Sequence, residues 1–387
     1  MKNYDVLIVG GGIMAASVAY HLREQGYSGS IGIFEKDAMY EYSSTPRSEG
    51  GIRQTFSTEI NIKMSQYSFN MYEKFEQEMA LDGDETLIDF KKNGYLYLLN
   101  EMSLPIFEDI LKIHRKLNVK SEYWTPAELK ERYPDFCVED LAGAVFDPDA
   151  GNADPYSVLQ AYNRHNKRRD VDYMYEEVDT ILREGDRVTG VRLANGEVYH
   201  ANIVVNAAGA WSGELSDKLA LPIPVKPLRR QLYTIDMTER FSQTIPFTFD
   251  PTGLHFRTEG DRYVVGWARE DAYGYNFKLN RSFFEEEIWP VLASRSPLFE
   301  QLKMERGWAG LYDYNTADQN AVIGEHPELT GYYIITGFSG HGFQHAPAAG
   351  NGLAELIHYG KYETIDLHPL RVERFKEKDL VLETAVY

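Results

Sequence analysis

Cysteine is almost missing from this chain. Cys137 stands alone among 387 residues, so no intrachain disulfide is possible and no cysteine-ligated metal centre is expected. No apolar run approaches the roughly 20 residues a membrane-spanning helix needs. The residues ahead of the first apolar strand lack the basic region and apolar core of a signal peptide, so a cytoplasmic location is expected. Positive charge is outnumbered: the net charge of −19 repels nucleic acid and anionic membrane alike, and neither is an expected partner. What is present describes an ordinary globular protein, with 43% hydrophobic and 26% charged residues. At this length two domains are the natural expectation.

The most informative stretch is residues 4–36. Residues 5–9 (DVLIV) form an apolar run of buried-strand length that ends in Gly10-Gly11-Gly12. Ile13, Ala16, Ala19, Tyr20 and Leu22 then recur at helical spacing, and Gly26 stops the pattern. A second apolar strand, residues 31–34, ends in Glu35. Gly10, Gly12 and Ala15 thus make a G-x-G-x-x-A frame, with an acid 20 residues beyond Ala15. Gly10 permits the tight turn, Gly12 lets backbone approach a pyrophosphate, and Ala15 lets the helix pack on the strand. The helix N-terminus offers free N–H groups to phosphate, and Glu35 is expected to accept hydrogen bonds from both ribose hydroxyls. The frame alone leaves FAD and NAD both open.

Farther along, the polar loop of residues 42–51 either contacts phosphate and a flat ring or is a solvent-exposed linker. Arg53, just beyond, lies near the site or in a surface ion pair. Helices are expected over residues 60–80, 104–117 and 122–133, the last opened by Thr125-Pro126 with Glu128 at capping-box spacing. Residues 144–154 read as a turn-rich return, followed by a helix from Pro155 carrying His165 and Lys167-Arg168-Arg169. Strands are expected at 94–99 and 173–178, in a hairpin of 188–193 with 198–200, and at 203–208, which runs into Gly209-Ala210-Trp211-Ser212. Residues 223–270 change character to a mostly antiparallel sheet, hence a second domain. A helix at 282–293 and strands at 304–312 and 332–336 follow.

The strand at 332–336 enters Gly337-Phe338-Ser339-Gly340-His341-Gly342-Phe343-Gln344, ahead of a helix at 347–359. One nucleotide needs one phosphate-binding turn. A second glycine-rich helix start is better explained by the other half of a large cofactor, where its dipole would stabilise the charge that a flavin gains on reduction. This favours FAD.

Three blocks together, the N-terminal frame, Val204-Val205-Asn206-Ala207-Ala208-Gly209-Ala210-Trp211 and Gly337-Phe338-Ser339-Gly340-His341-Gly342-Phe343, resemble the D-amino-acid oxidase superfamily, in the branch of sarcosine oxidase, dimethylglycine dehydrogenase and glycine oxidase. The resemblance implies an α/β plus β-rich fold: a discontinuous Rossmann-like FAD domain over residues 1–85, 145–215 and 318–387, and a mostly antiparallel substrate domain over 86–144 and 216–317. It implies oxidation of a C–N bond by hydride transfer to flavin N5, with hydrolysis of the imine. The substrate would be a secondary or N-substituted amine or amino acid. Carried over by position, FAD would be held by Gly10, Gly12, Ile13, Met14, Ala15, Glu35, Lys36, Ser43, Ser44, Gly51, Ile52, Val178, Ala208, Gly209, Trp211, Gly340, His341, Gly342, Phe343 and Gln344. Arg53 would orient a carboxylate, while His255, Tyr312, His341 and Gln344 shape the pocket. A histidine could take the amine proton, although His341 could serve packing alone and His255 could be a satisfied strand residue.

Departures from the family pattern matter too. Leu311 stands where monomeric sarcosine oxidases attach flavin through cysteine, and Arg47 or a neighbour where dimethylglycine dehydrogenases use a histidine, so FAD is expected to be noncovalent. Val264 stands at the oxygen-activating lysine, which brings an acceptor protein or quinone alongside oxygen. Asp313 replaces a carboxylate-binding arginine and could face a cationic amine, and Gln344 replaces a lysine. Gly51-Ile52-Arg53-Gln54 also resembles a mitochondrial FAD-dependent oxidoreductase-domain protein that assists respiratory complex I assembly, which leaves a noncatalytic, flavin-stabilised scaffold as the alternative.

Overall fold

In the computed structural model the first strand, Lys2–Val9, lies at the centre of a sheet, flanked in parallel by Val198–Asn206 and Ile31–Phe34. The structure describes residues 2–81, 85–269 and 271–384, so the outermost ends of the expected FAD domain lie outside the described residues. Tyr332–Thr336 and the antiparallel Val322–Glu325 extend one side, and Val171–Met174 extends the other. Burial on both faces explains why these strands are continuously apolar: Val6, Leu7, Ile8, Ile33, Val204, Val205 and Ile334 are fully buried. The helices Ile13–Glu24 and Gly342–Tyr359 pack together over this sheet, and a Cβ at Gly350 would collide with Ser17.

A second, eight-stranded sheet runs Leu302–Asn315, Val225–Met237, Arg262–Trp267, Leu254–Glu259, Phe247–Phe249, Tyr95–Leu99, Gly143–Asp147, Glu122–Trp124. Every pairing in it is antiparallel except that of Phe247–Phe249 with Tyr95–Leu99. An α/β sheet joined to a mostly antiparallel one is the expected fold class. The chain crosses between the two sheets several times, and a short ladder of Gly51–Ile52 with Gly151–Asn152 is formed besides them.

Five local expectations need correction. The helix expected over 122–133 is a strand, Glu122–Trp124, followed by a short helix, Pro126–Arg132. The stretch 144–154 is not a turn-rich return: Gly143–Asp147 is an inner strand of the second sheet, and Asp147, buried inside, accepts hydrogen bonds from Gln54 N, Thr55 Oγ1 and Asp149 N. The strand placed at 173–178 is two strands, Val171–Met174 and Val178–Glu184, which pair with different neighbours. The strands expected at 198–200 and 203–208 are one, Val198–Asn206. Finally, the last long helix begins at Gly342, not at 347, and carries Pro347 inside it. Proline has no N–H to give Phe343 O, and that carbonyl instead accepts from Tyr72 Oη at 2.7 Å. The helix Glu59–Glu78, which bears Tyr72, thus repairs the broken ladder.

Candidate functional site

Both glycine turns open on a single cavity between the sheets. At the first turn Gly10 has φ +98°, and a Cβ there would collide with the carbonyl of Ala207 on the neighbouring strand, so only glycine fits. Gly12 is different: its φ of −68° suits any residue, and a Cβ would meet only Thr45 Oγ1 at 3.4 Å and Ser43 Oγ at 3.8 Å. It therefore leaves space in front of a helix that has no acid in its first turn and whose first amide, Ile13 N, donates to Thr45 Oγ1 at 3.2 Å. A helix start lined by hydroxyls and free of acid suits an anion. Glu35, at the end of its strand, accepts from Gly11 N at 2.7 Å and from Asp37 N at 2.9 Å, and burial pushes its carboxyl up. Lys36 lies 4.0 Å from the Trp211 ring, beside Glu177 and Val178 in the cavity wall.

The loop of residues 42–51 is part of the site and not a linker. Ser43, Ser44, Thr45, Arg47, Ser48, Glu49 and Gly51 line the cavity, and Ser44 Oγ donates to Leu311 O at 2.6 Å. The second turn is built by long-range contacts. Asp313 accepts from Gly337 N at 2.7 Å, Phe338 N at 3.1 Å and Thr336 Oγ1 at 3.2 Å. Its carboxylate is thereby committed to the turn, which removes it as the expected partner of a cationic amine; burial pushes its pKa up. Tyr312 lies against Gly340, where a Cβ would come within 2.6 Å of its ring.

At the other end stand Arg53, Tyr95, Arg230, Phe247, Phe249, His255 and Trp267. Arg53 is no surface ion pair: it is 6% exposed, its Nη1 donates to Thr55 O and to Tyr97 Oη, and its backbone N–H donates to Gln344 Oε1 at 2.9 Å. Gln344 thus positions Arg53. His255 shares a 2.9 Å hydrogen bond through Nε2 with Glu49, and Arg257 lies 3.6 Å from the other oxygen of that carboxylate. His341 lies 7% exposed at the cavity wall, and burial together with Arg53 pushes its pKa down to about 3. Burial raises the Tyr312 phenol, so it stays protonated and able to donate.

All of the expected site residues line this cavity except Ala15 and Ile52. Ala15 is packed in the core between helix and sheet, as its smallness requires, and Ile52 is packed beside Ile13 and Phe343. Sequence reasoning passed over Glu49, Tyr95, Arg230 and Phe247. Glu49 sits in a loop already suspected of contact, but Arg230 shows as one more charge in a strand, with no motif to mark it.

Comparison with known proteins agrees. A family model described as FAD dependent oxidoreductase matches residues 5–356. The FAD-dependent oxidoreductase domain-containing protein 1 of Xenopus laevis is 33% identical over 424 residues, covering 100% of this chain and 85% of that protein. Sarcosine oxidase subunit beta of an Arthrobacter species is 25% identical, covering 99% and 93%. The crystal structure of L-proline dehydrogenase from P. horikoshii superposes with a TM-score of 0.88 at 28% identity, covering 98% of this chain and 100% of that one. An open anion-receptive turn, a terminal acid and a second turn on the same cavity are what an FAD-binding chain requires, and the chain belongs to the FAD-dependent oxidoreductase family of D-amino-acid oxidase type, an enzymatic family.

Proposed function

We propose that the chain oxidises the C–N bond of a small amine or amino acid, secondary or N-substituted, to an imine that water hydrolyses. FAD supplies the redox chemistry by accepting hydride at flavin N5. The observation that carries this reading is the shared cavity: two glycine turns far apart in sequence open on the space that also receives Arg53, Arg230, His255 and Tyr312. The names of two relatives, sarcosine oxidase subunit beta and L-proline dehydrogenase, support a secondary amine.

In this reading the parallel-sheet body, residues 1–85, 145–215 and 318–387, is the FAD domain, with the strand Gly143–Asp147 moved to the substrate domain formed by the second sheet. Gly10, Gly12 and the amides of Ile13 and Met14 hold the pyrophosphate, Glu35 the ribose, and Lys36, Val178 and Trp211 the adenine end. Ser43, Ser44, Gly51, Ala208, Gly209 and the Gly340–Gln344 turn hold the flavin. Leu311 offers no nucleophile, so the cofactor is noncovalent. Arg53 orients a carboxylate. Hydride loss needs a neutral amine, and the proton goes to His255, paired with Glu49. His341, neutral at any physiological pH, accepts or donates a hydrogen bond without serving as the base. Val264 is a buried apolar residue, so no cation there favours oxygen, and an acceptor protein or quinone stands beside it as oxidant. No helix among the described residues is long and apolar enough to cross a membrane.

The test is anaerobic. Holoprotein is mixed with sarcosine, other N-methyl amino acids, proline, D- and L-amino acids and polyamines, and the flavin band is followed. Bleaching by a secondary amine is expected, with air then readmitted to time reoxidation. A yellow protein that no amine bleaches sinks the reading in favour of a structural flavin.

A further inference from the structure

Five cationic side chains line the cavity: Lys36, Arg47, Arg53, Lys218 and Arg230. Lys36 has Glu177 at 3.8 Å, Lys218 has Asp179 at 3.3 Å, and Arg47 donates to the carbonyls of Glu41 and Ala309, both at 2.6 Å. Arg230 differs. Its neighbour Arg229 pairs with Asp271, but Arg230 has no carboxylate partner among the described residues. One Nη donates to the carbonyls of Arg229 and Arg269, and its Nε is buried without a hydrogen-bond partner. An N–H so placed carries a desolvation cost that a bound acceptor would remove.

The position of this cation narrows what the acceptor is. The Arg230 guanidinium lies 5.2 Å from the Tyr312 ring centroid, and Tyr312 supports Gly340 of the second turn. Arg53 lines the same cavity. Of the acids nearby, Asp313 is held by the turn, and Glu49 bonds His255 through one oxygen, with its other oxygen 3.6 Å from Arg257 and without a hydrogen bond. In a chain of net charge −19, a half-buried arginine with no counter-ion at a substrate cavity marks the place of an anion brought by the ligand.

We infer that Arg230 receives a second carboxylate of the substrate, so that the amine which fits is a dicarboxylic secondary amine whose N-carboxyalkyl arm reaches Arg230. This rests on the amine-oxidation reading and names its substrate class. Amines with one carboxylate would bind more weakly, because they leave the Arg230 site unfilled.

The test uses thioethers, in which sulfur replaces the nitrogen and no C–N bond is present to oxidise. Holoprotein is titrated with thiodiacetate and with (methylthio)acetate, and the flavin visible spectrum reports binding. Thiodiacetate is expected to bind about tenfold tighter or more. Arg230→Gln should collapse that ratio to near one while flavin content holds, and Arg230→Lys should restore part of it. Equal binding of the two thioethers by the unaltered protein overturns the inference and leaves amine oxidation standing. Loss of flavin from Arg230→Gln also overturns it, by assigning the arginine to the cofactor. A flavin that neither thioether perturbs and no amine bleaches would remove the amine-oxidation reading and this inference with it.

Discussion

The two glycine turns face the same cavity but are held by different means. The N-terminal turn is fixed by backbone: Gly10 lies against the carbonyl of Ala207, Gly10 N donates to Phe34 O at 2.8 Å, and adjacent parallel strands set its shape. The C-terminal turn is fixed by side chains that arrive from another sheet, the Asp313 carboxylate beneath its amides and the Tyr312 ring beneath Gly340. A turn set by strand geometry is encoded within a dozen residues. A turn set by a buried carboxylate depends on the correct docking of Leu302–Asn315, and so on the whole second sheet. The first is therefore the sturdier phosphate cradle, and the second couples flavin binding to the integrity of the substrate side.

Substitutions separate these two kinds of support. The largest effect is expected from Gly10→Ala, which forces a Cβ into Ala207 at positive φ; a loss on the order of 3 kcal/mol or more is expected. The protein should be recovered colourless or insoluble, and a yellow, normally stable variant would refute the backbone account. Asp313→Ala comes next. It strands two amides in a buried place, while Thr336 Oγ1 keeps Gly209 O as acceptor, at roughly 2–5 kcal/mol. Asp313→Asn should lose less, since one oxygen can still accept, and the two are compared by urea unfolding and by the ratio of flavin to protein absorbance. Gly12→Ala sharpens the contrast within the first turn. Its Cβ meets no backbone, so unfolding of the apoprotein should change by about 1 kcal/mol or less. It would stand where the pyrophosphate is expected, so FAD affinity should fall at least about tenfold. Unchanged affinity would move the pyrophosphate elsewhere.

The same contrast explains what could be read in the sequence. Ile31–Phe34 and Tyr332–Thr336 were legible to the residue, because strands buried on both faces are continuously apolar and end in an acid or a glycine. The capping box of Thr125 with Glu128 was legible because it is local. The strand Gly143–Asp147 was not: its string of Gly, Asp and Pro nearby mimics a turn, and the burial of Asp147 depends on Gln54 and Thr55, some 90 residues earlier. Pro347 misled for a similar reason, since Tyr72, distant in sequence, accepts the consequence of the missing N–H. Within the site, the glycine frames and Arg53 were visible as motifs, whereas the duty of Asp313 and the isolation of Arg230 exist only once strands are paired.

The smallest effect concerns acid, and it again divides the two turns. Burial pushes His341, in the second turn, and His21, in the first helix, each down to about 3, below the ordinary value of 6.5. The unfolded chain therefore binds a proton at each position between about pH 6.5 and 3 while the folded chain does not. Stability rises with pH across that window and falls as pH drops through it, by at most about 1.4 kcal/mol per pH unit for each group. Buried Glu35 and Asp313, whose pKa values are raised, contribute with the opposite sign. Comparing His341→Asn with the unaltered protein, and His21→Asn with it separately, cancels those contributions to first order. Urea unfolding at pH 6.5, 5.5 and 4.5 should show each variant losing less stability on acidification than the parent. If His341→Asn keeps the parent's full slope while His21→Asn flattens it, the acid-sensitive histidine lies in the first helix, and Asp313, not His341, sets the second turn's response to pH.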